Sequence, residues 1–200
     1  MKKNELERML QQVPPHSSPK ANLEQYSTPA DIAADMLFIS YANGDIFEKD
    51  VLDLGCGTGI LSIGAYILGG NVTGVEIDPV AYAEAVLNAE NASAEINLIN
   101  SDIKDIEITA DTIIMNPPFG SQKKNADRPF LEIACKSANR IYSLHNSLTI
   151  NFLEKMVDSL GGEIFLQKEY ILSIPHMFQF HSKVKKNTNV VLIGIDMSRV

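Results

Sequence analysis

Short apolar runs bounded by turn residues recur along the chain, and between them apolar positions fall three and four apart. The runs Val51–Leu54, Val72–Ile77, Ile96–Ile99, Asp111–Met115, Arg140–Leu144, Glu163–Ile174 and Asn187–Met197 read as strands. The helical spacing predicts helices over 1–12, 29–43, 60–68, 79–92, 127–139 and 147–160. Thr28 is the expected N-cap of the second of these, with Pro29 at its first helical position. Ser147 is expected to cap the last helix, and Gly161-Gly162 to close it. Val13–Pro19, rich in Pro and Ser, reads as a linker, and Pro175–Lys186 as a loop. Strands that alternate with helices in this way predict a doubly wound α/β sheet. There is no internal repeat and no low-complexity tract.

Two of the strand ends carry candidate chemistry. The run Val51-Leu52-Asp53-Leu54 enters Gly55-Cys56-Gly57-Thr58-Gly59 and then a helix. Glycines let a backbone approach a ligand closely, and a helix N-terminus favours polar or negative groups. The next strand ends in Glu76, near the distance at which a nucleotide-binding unit places the acid that holds its ribose hydroxyls. The glycine spacing is G-x-G-x-G, not the dinucleotide fingerprint. Asp102, after the following strand, reads either as an acceptor for an adenine amino group or as a turn residue. Gln25 and Thr28 read either as surface and capping residues or as the lining of a pocket over a cofactor.

The second strand end is Asn116-Pro117-Pro118-Phe119. Two prolines cannot continue a strand, because neither offers a ladder N–H, but they fix the backbone where it stops. The amide oxygen of Asn116 and a carbonyl near Pro117 can accept the two N–H groups of an exocyclic amine on a flat ring. Phe119 can stack on such a ring, an interaction worth roughly 1–3 kcal/mol for a base. Read alone, the same residues are also a stiff turn beside a core Phe.

Charge narrows the partners. The net charge is −8, from 17 basic and 25 acidic residues, which argues against a general polyanion binder. The first hundred residues carry 5 basic and 14 acidic side chains, and the second hundred 12 and 11. Lys123, Lys124, Arg128, Lys183, Lys185 and Lys186 are candidates for a local basic rim. The polar N-terminus does not read as a secretory signal, and no apolar run reaches membrane-spanning length. Cys56 and Cys135 lack metal or redox spacing, so reduced thiols in a cytoplasmic protein are expected. His16, His145, His176 and His181 show no metal-ligand spacing; no metal site is expected, and they read as structural or surface residues.

The motif Asp-Leu-Gly-Cys-Gly-Thr-Gly followed by Asn-Pro-Pro-Phe resembles the Rossmann-like, class I S-adenosylmethionine-dependent methyltransferases. Leu23-Glu24-Gln25-Tyr26-Ser27-Thr28-Pro29, Leu61-Ser62-Ile63-Gly64 and Ile141-Tyr142-Ser143-Leu144-His145 narrow the likeness. With them the chain is similar to the archaeal and eukaryotic methyltransferase-like family whose best-known member makes N6-methyladenosine in small-subunit ribosomal RNA. The likeness covers nearly the whole chain from about Glu5. It implies a single class I domain over 1–200, with a seven-stranded, mostly parallel sheet, helices on both faces and an N-terminal helical extension over about 1–45. It implies a cofactor site of Gln25, Thr28, Asp53, Gly55, Thr58, Gly59, Ile60, Glu76 and Asp102, with Asn116, Pro117, Pro118 and Phe119 as the catalytic loop. It further implies an RNA substrate, contacted by Lys123, Lys124 and the 181–186 loop. A small zinc-containing activator is implied as well, pairing with the strand at 96–99. The eukaryotic relative has Asp where this chain has Glu76, and Ser182 and Val184 interrupt the basic cluster after His181. An N-methyltransferase acting on protein glutamine or guanine N2, and a non-catalytic RNA-binding module, are the competing readings. The roughly 50 residues before Val51 leave little room for the helical domain that glutamine enzymes carry.

Overall fold

The structure, a computed structural model, describes residues 1–120, 126–175 and 185–198, with side chains for all of these but 173–175 and 185–186. Six α-helices and seven strands follow the expected order: α1 (Lys3–Leu10), α2 (Ala30–Ala42), β1 (Asp50–Leu54), α3 (Ile60–Ile67), β2 (Asn71–Glu76), α4 (Pro79–Asn91), β3 (Asn97–Asn100), β4 (Ala110–Met115), α5 (Arg128–Ser137), β5 (Ala138–Asn146), α6 (Ile150–Ser159), β6 (Glu163–Pro175) and β7 (Lys185–Asp196). One sheet has the order β3-β2-β1-β4-β5-β7-β6. The pairs among β3, β2, β1, β4 and β5 are parallel, and β7 runs antiparallel to both β5 and β6. This is the Rossmann-like, seven-stranded, mostly parallel sheet the sequence predicts.

The strands are apolar at consecutive positions because both faces of the sheet are covered. Alternation divides each pair of neighbours. Val51, Ile114 and Tyr142 join one core cluster, with Leu6 and Leu10 of α1, Met36 and Leu37 of α2, and Ile63 of α3. Leu52, Ile113 and Ile141 join the other, with Leu131 of α5 and Leu153 of α6. The N-terminal extension is thus part of the first core cluster. Asp35 of α2 pins it: its carboxylate takes Lys3 from α1 at 2.9 Å, Tyr170 Oη of β6 at 2.6 Å, and Lys168. Burial opposes the charge on Asp35, but these bonds outweigh it and hold the pKa at about 2.

Two caps differ from expectation. Thr28 does not cap α2; Pro29 occupies the N-cap position, and the Thr28 hydroxyl is engaged with Asn116 instead. Ser147 does not cap α6: its N-cap is Thr149, without a side-chain cap bond, and Asn146 instead caps the turn before it, accepting from Leu148 N at 3.0 Å. A short 3-10 turn, Ser147–Thr149, therefore precedes the helix, which starts at Ile150. Gly161 closes it with φ +86°. Lys185 and Lys186 lie in β7 rather than in a loop. The expectations for Lys123, Lys124, His176, His181 and Lys183 fall outside the described residues.

Candidate active site

The order of strands reverses between β1 and β4, and a cavity of about 330 Å³ lies at the carboxyl ends of the parallel strands. That is where an open α/β sheet places its ligand, and the size suits a small organic molecule. The turn after β1 supplies Gly55, Cys56, Gly57, Thr58 and Ile60. The ends of β2 and β3 supply Glu76 with Ile77, and Asp102 with Ile103. The stretch after β4 supplies Asn116, Pro117 and Pro118, and the segment from Asn22 to Thr28 forms the wall across from the strands.

The glycine turn is shaped by what it touches. Gly57 has φ +56°, a conformation that side chains rarely adopt. Its N–H donates to Glu76 Oε2 at 2.9 Å, while Asp78 N donates to Glu76 Oε1 at 2.9 Å. Both carboxylate oxygens of Glu76 are therefore fixed, and each keeps a further lone pair. Burial raises the Glu76 pKa, and these backbone bonds offset part of that rise. The Asp78 side chain is held in turn by Lys20 Nζ at 2.7 Å and Gln25 Nε2 at 2.8 Å. Burial opposes its charge as well, but Lys20 and Gln25 keep its pKa below the ordinary value.

Beneath the turn, Asp53 is fully buried and accepts from Ser62 Oγ at 2.6 Å. Its Oδ1 has no hydrogen-bond partner among the described residues, and burial pushes its pKa up to about 7. Burial, with the Asp53 and Glu76 carboxylates, drives the Cys56 thiol well above its usual range, which disfavours the thiolate that nucleophilic chemistry uses. Among the described residues no group of three or more His, Cys, Asp or Glu has the geometry to hold a metal ion.

On the opposite side, Asn116 Nδ2 donates to Thr28 Oγ1 at 2.9 Å. This bond sets the orientation of the amide. Its Oδ1 is buried with no partner among the described residues, and the residue itself lines the cavity. An acceptor left open in such a place costs about 1–3 kcal/mol until a donor arrives.

The cavity wall contains most of the expected site residues: Gln25, Thr28, Asp53, Gly55, Thr58, Ile60, Glu76, Asp102, Asn116, Pro117 and Pro118. Two lie behind it. Gly59 is the left-handed N-cap of α3, and a Cβ there would meet Ala85 of α4. Phe119 packs on the first core cluster. Phe130 of α5 does line the cavity, its ring so near Gly55 that a Cβ there would lie 3.0 Å from Cε1. His16, expected to be structural or at the surface, also lines the cavity, beside Gly57, and no sequence pattern marks either residue as part of a site. Both reach the site through long-range packing that no local pattern encodes. Arg128 pairs with Glu132 along α5, at 2.9 Å.

Residues 27–149 match the model of the methyltransferase small domain family. The chain belongs to that family. As such it is an S-adenosylmethionine-dependent methyltransferase. It is 37% identical to the rRNA N(6)-adenosine-methyltransferase Mettl5 of Drosophila melanogaster, over 95% of this chain and 94% of that protein. To METTL5 of Danio rerio, which bears the same description, the identity is 36% over 96% and 98% of the two chains. A crystal structure from Pyrococcus horikoshii superimposes with a TM-score of 0.92, at 35% identity, covering 98% of each chain. The match to the methyltransferase family model takes in Thr28 and Asn116 but starts after Gln25, so the segment bearing His16, Lys20 and Gln25 lies beyond it.

Proposed function

We propose that this methyltransferase transfers a methyl group from S-adenosylmethionine to N6 of an unpaired or flipped adenine in RNA, and that the RNA is ribosomal. The buried Oδ1 of Asn116, without a partner among the described residues, carries the reading. It is a fixed acceptor with nothing to accept, at the strand end where a reacting group is expected. An adenine amino group supplies the missing donor. Accepting one of its N–H groups draws the nitrogen lone pair away from the ring and toward the attacking orbital, and the Pro117 region offers a carbonyl for the other. The work of the protein is to position and to stabilise charge. Once the nitrogen carries the methyl it is acidic, and water takes the proton. A base held in a duplex cannot enter such a cavity, so the target must be unstacked. The two relatives named as rRNA adenosine methyltransferases support the choice of substrate.

The donor set fits the cofactor. Glu76 presents two anchored carboxylate oxygens to ribose hydroxyls, Asp102 presents an acceptor at the far end, and the exposed Ile77 offers an apolar surface to a flat base. Bound there, S-adenosylmethionine supplies an electrophilic methyl on a cationic sulfur. We assign Gln25, Thr28, Asp53, Gly55, Thr58, Ile60, Glu76 and Asp102 to this site, with Gly59 shaping its turn from behind, and Asn116–Pro118 to the acceptor, with Phe119 anchoring that loop on the core. The reading includes one class I domain with its N-terminal extension, in the cytoplasm; no described helix is long and apolar enough to cross a membrane. It includes an activator subunit on β3, which among the described strands pairs only with β2 and leaves its outer edge open. The test is labelled-methyl transfer to small-subunit ribosomal RNA, with mass spectrometry of the digested nucleosides. N6-methyladenosine is the expected product. Label in protein, or in N2-methylguanosine, would replace this substrate with one of its rivals.

A further inference from the structure

The N-terminal segment does more than complete the core. Between α1 and α2 it crosses α4 and returns along the cavity. Ser17 N donates to Glu84 Oε1 at 3.0 Å, and the Ser17 hydroxyl reaches the same oxygen. Asn88 Nδ2 bonds the Pro14 carbonyl at 3.4 Å and the Thr58 carbonyl at 2.9 Å, so one side chain fastens both the segment and the glycine turn. His16 rides on this strap. Its side chain is only 6% exposed, its Nδ1 lies 3.6 Å from Glu84 Oε2, and a Cβ on Gly57 would be 3.2 Å from its Nε2.

The ring thus stands over the residue whose N–H holds Glu76. His16 and Glu76 converge on Gly57 from different elements, and both line the cavity. With the ring proton on Nδ1, facing the Glu84 carboxylate, Nε2 is left as an acceptor. We propose that His16 is a cofactor-contacting residue, whose Nε2 accepts a hydrogen bond from a ribose hydroxyl of the nucleoside that Glu76 holds. Burial keeps the ring neutral by lowering its pKa, against the pull of Glu84 and Asp78. The contact rests on the assignment of this cavity to the cofactor, but not on the identity of the methyl acceptor.

The test is direct binding, without RNA. Titration calorimetry measures S-adenosylhomocysteine and its 2′-deoxy and 3′-deoxy analogues against wild type, His16→Ala and His16→Gln, with thermal melts to check folding. Loss of one hydrogen bond predicts about fivefold weaker binding of S-adenosylhomocysteine by His16→Ala. His16→Gln, which keeps a polar atom near the place of Nε2, regains most of it. For the analogue that lacks the contacted hydroxyl, wild type and His16→Ala bind alike. Equal binding of S-adenosylhomocysteine by wild type and His16→Ala would overturn the contact alone. So would an equal loss for the parent and both deoxy compounds, which signals packing. Wild-type protein that binds none of the three would overturn the cofactor assignment with it.

Discussion

The two sides of the cavity treat their polar atoms differently. On the side of β1 and β2, Glu76 is bound by two backbone N–H groups, Asp78 by Lys20 and Gln25, and Thr58 O by Asn88. On the side of β4, the Asn116 amide has one atom tied to Thr28 and the other without a partner among the described residues; on the β1 side only the Oδ1 of Asp53, beneath the turn, shares that state among the wall groups assigned to the cofactor. A wall whose groups are already in place loses little freedom when a ligand arrives, so it favours affinity. An open acceptor is satisfied only by the reacting partner, so it favours the chemical step over general binding. The contrast separates holding from reacting.

Substitutions on either side should therefore fail in different assays. The largest effect is expected for Asn116→Ala. Single-turnover methyl transfer should fall about 10²–10³-fold, as when a preorganised polar group is removed from a reacting centre. Binding of S-adenosylhomocysteine should be unchanged, and full activity in a folded variant would remove Asn116 from the acceptor site. Glu76→Ala should do the reverse. Loss of charge-assisted bonds worth about 1.5–3 kcal/mol each predicts at least a tenfold rise in the dissociation constant of the cofactor, with most of the saturated rate retained. A variant that lost rate but not affinity would contradict the division.

Thr28→Val tests the bond between the two sides. It leaves Asn116 in place but frees its amide to turn, and a drop of about tenfold in rate is expected, corresponding to about 1.4 kcal/mol. The smallest effect concerns pH and the buried Asp53. Its pKa in the folded protein, about 7, lies above the ordinary carboxyl value of 3.8. Between those values the folded protein keeps a proton that the unfolded chain has released. The contribution of Asp53 to stability therefore falls as pH rises through this window and is constant above it. The melting temperature of Asp53→Asn relative to wild type should climb from pH 4 to pH 7 and then level. A difference that is flat across that range would mean that Asp53 is ionised in the fold.

Much of this arrangement was legible in the chain. The strands β1, β4 and β7 stand out because interior strands are apolar on both faces, and the turns that end β1 and β4 are marked by Gly and Pro. The same marks located Gly55–Gly59, Glu76 and Asn116. Thr28 shows where local rules stop. Its chemistry suits an N-cap, yet its hydroxyl serves a side chain 88 residues away, and Pro29 takes the cap. Phe130 and His16 were missed for a related reason. Each enters the cavity wall because its element packs across a glycine, and a glycine's neighbours in space are not written beside it in sequence. Ser147 lies inside a 3-10 turn that Asn146 caps, so α6 starts one turn later, after Thr149.

The 2.9 Å bond from Asn116 to Thr28 joins a group assigned to the donor with one assigned to the acceptor. A ligand that shifts one of them alters the free energy of placing the other. Thermodynamic linkage makes that influence mutual. Occupancy by the spent nucleoside and capture of the next target are then not independent events, and a single hydroxyl sets the exchange between them.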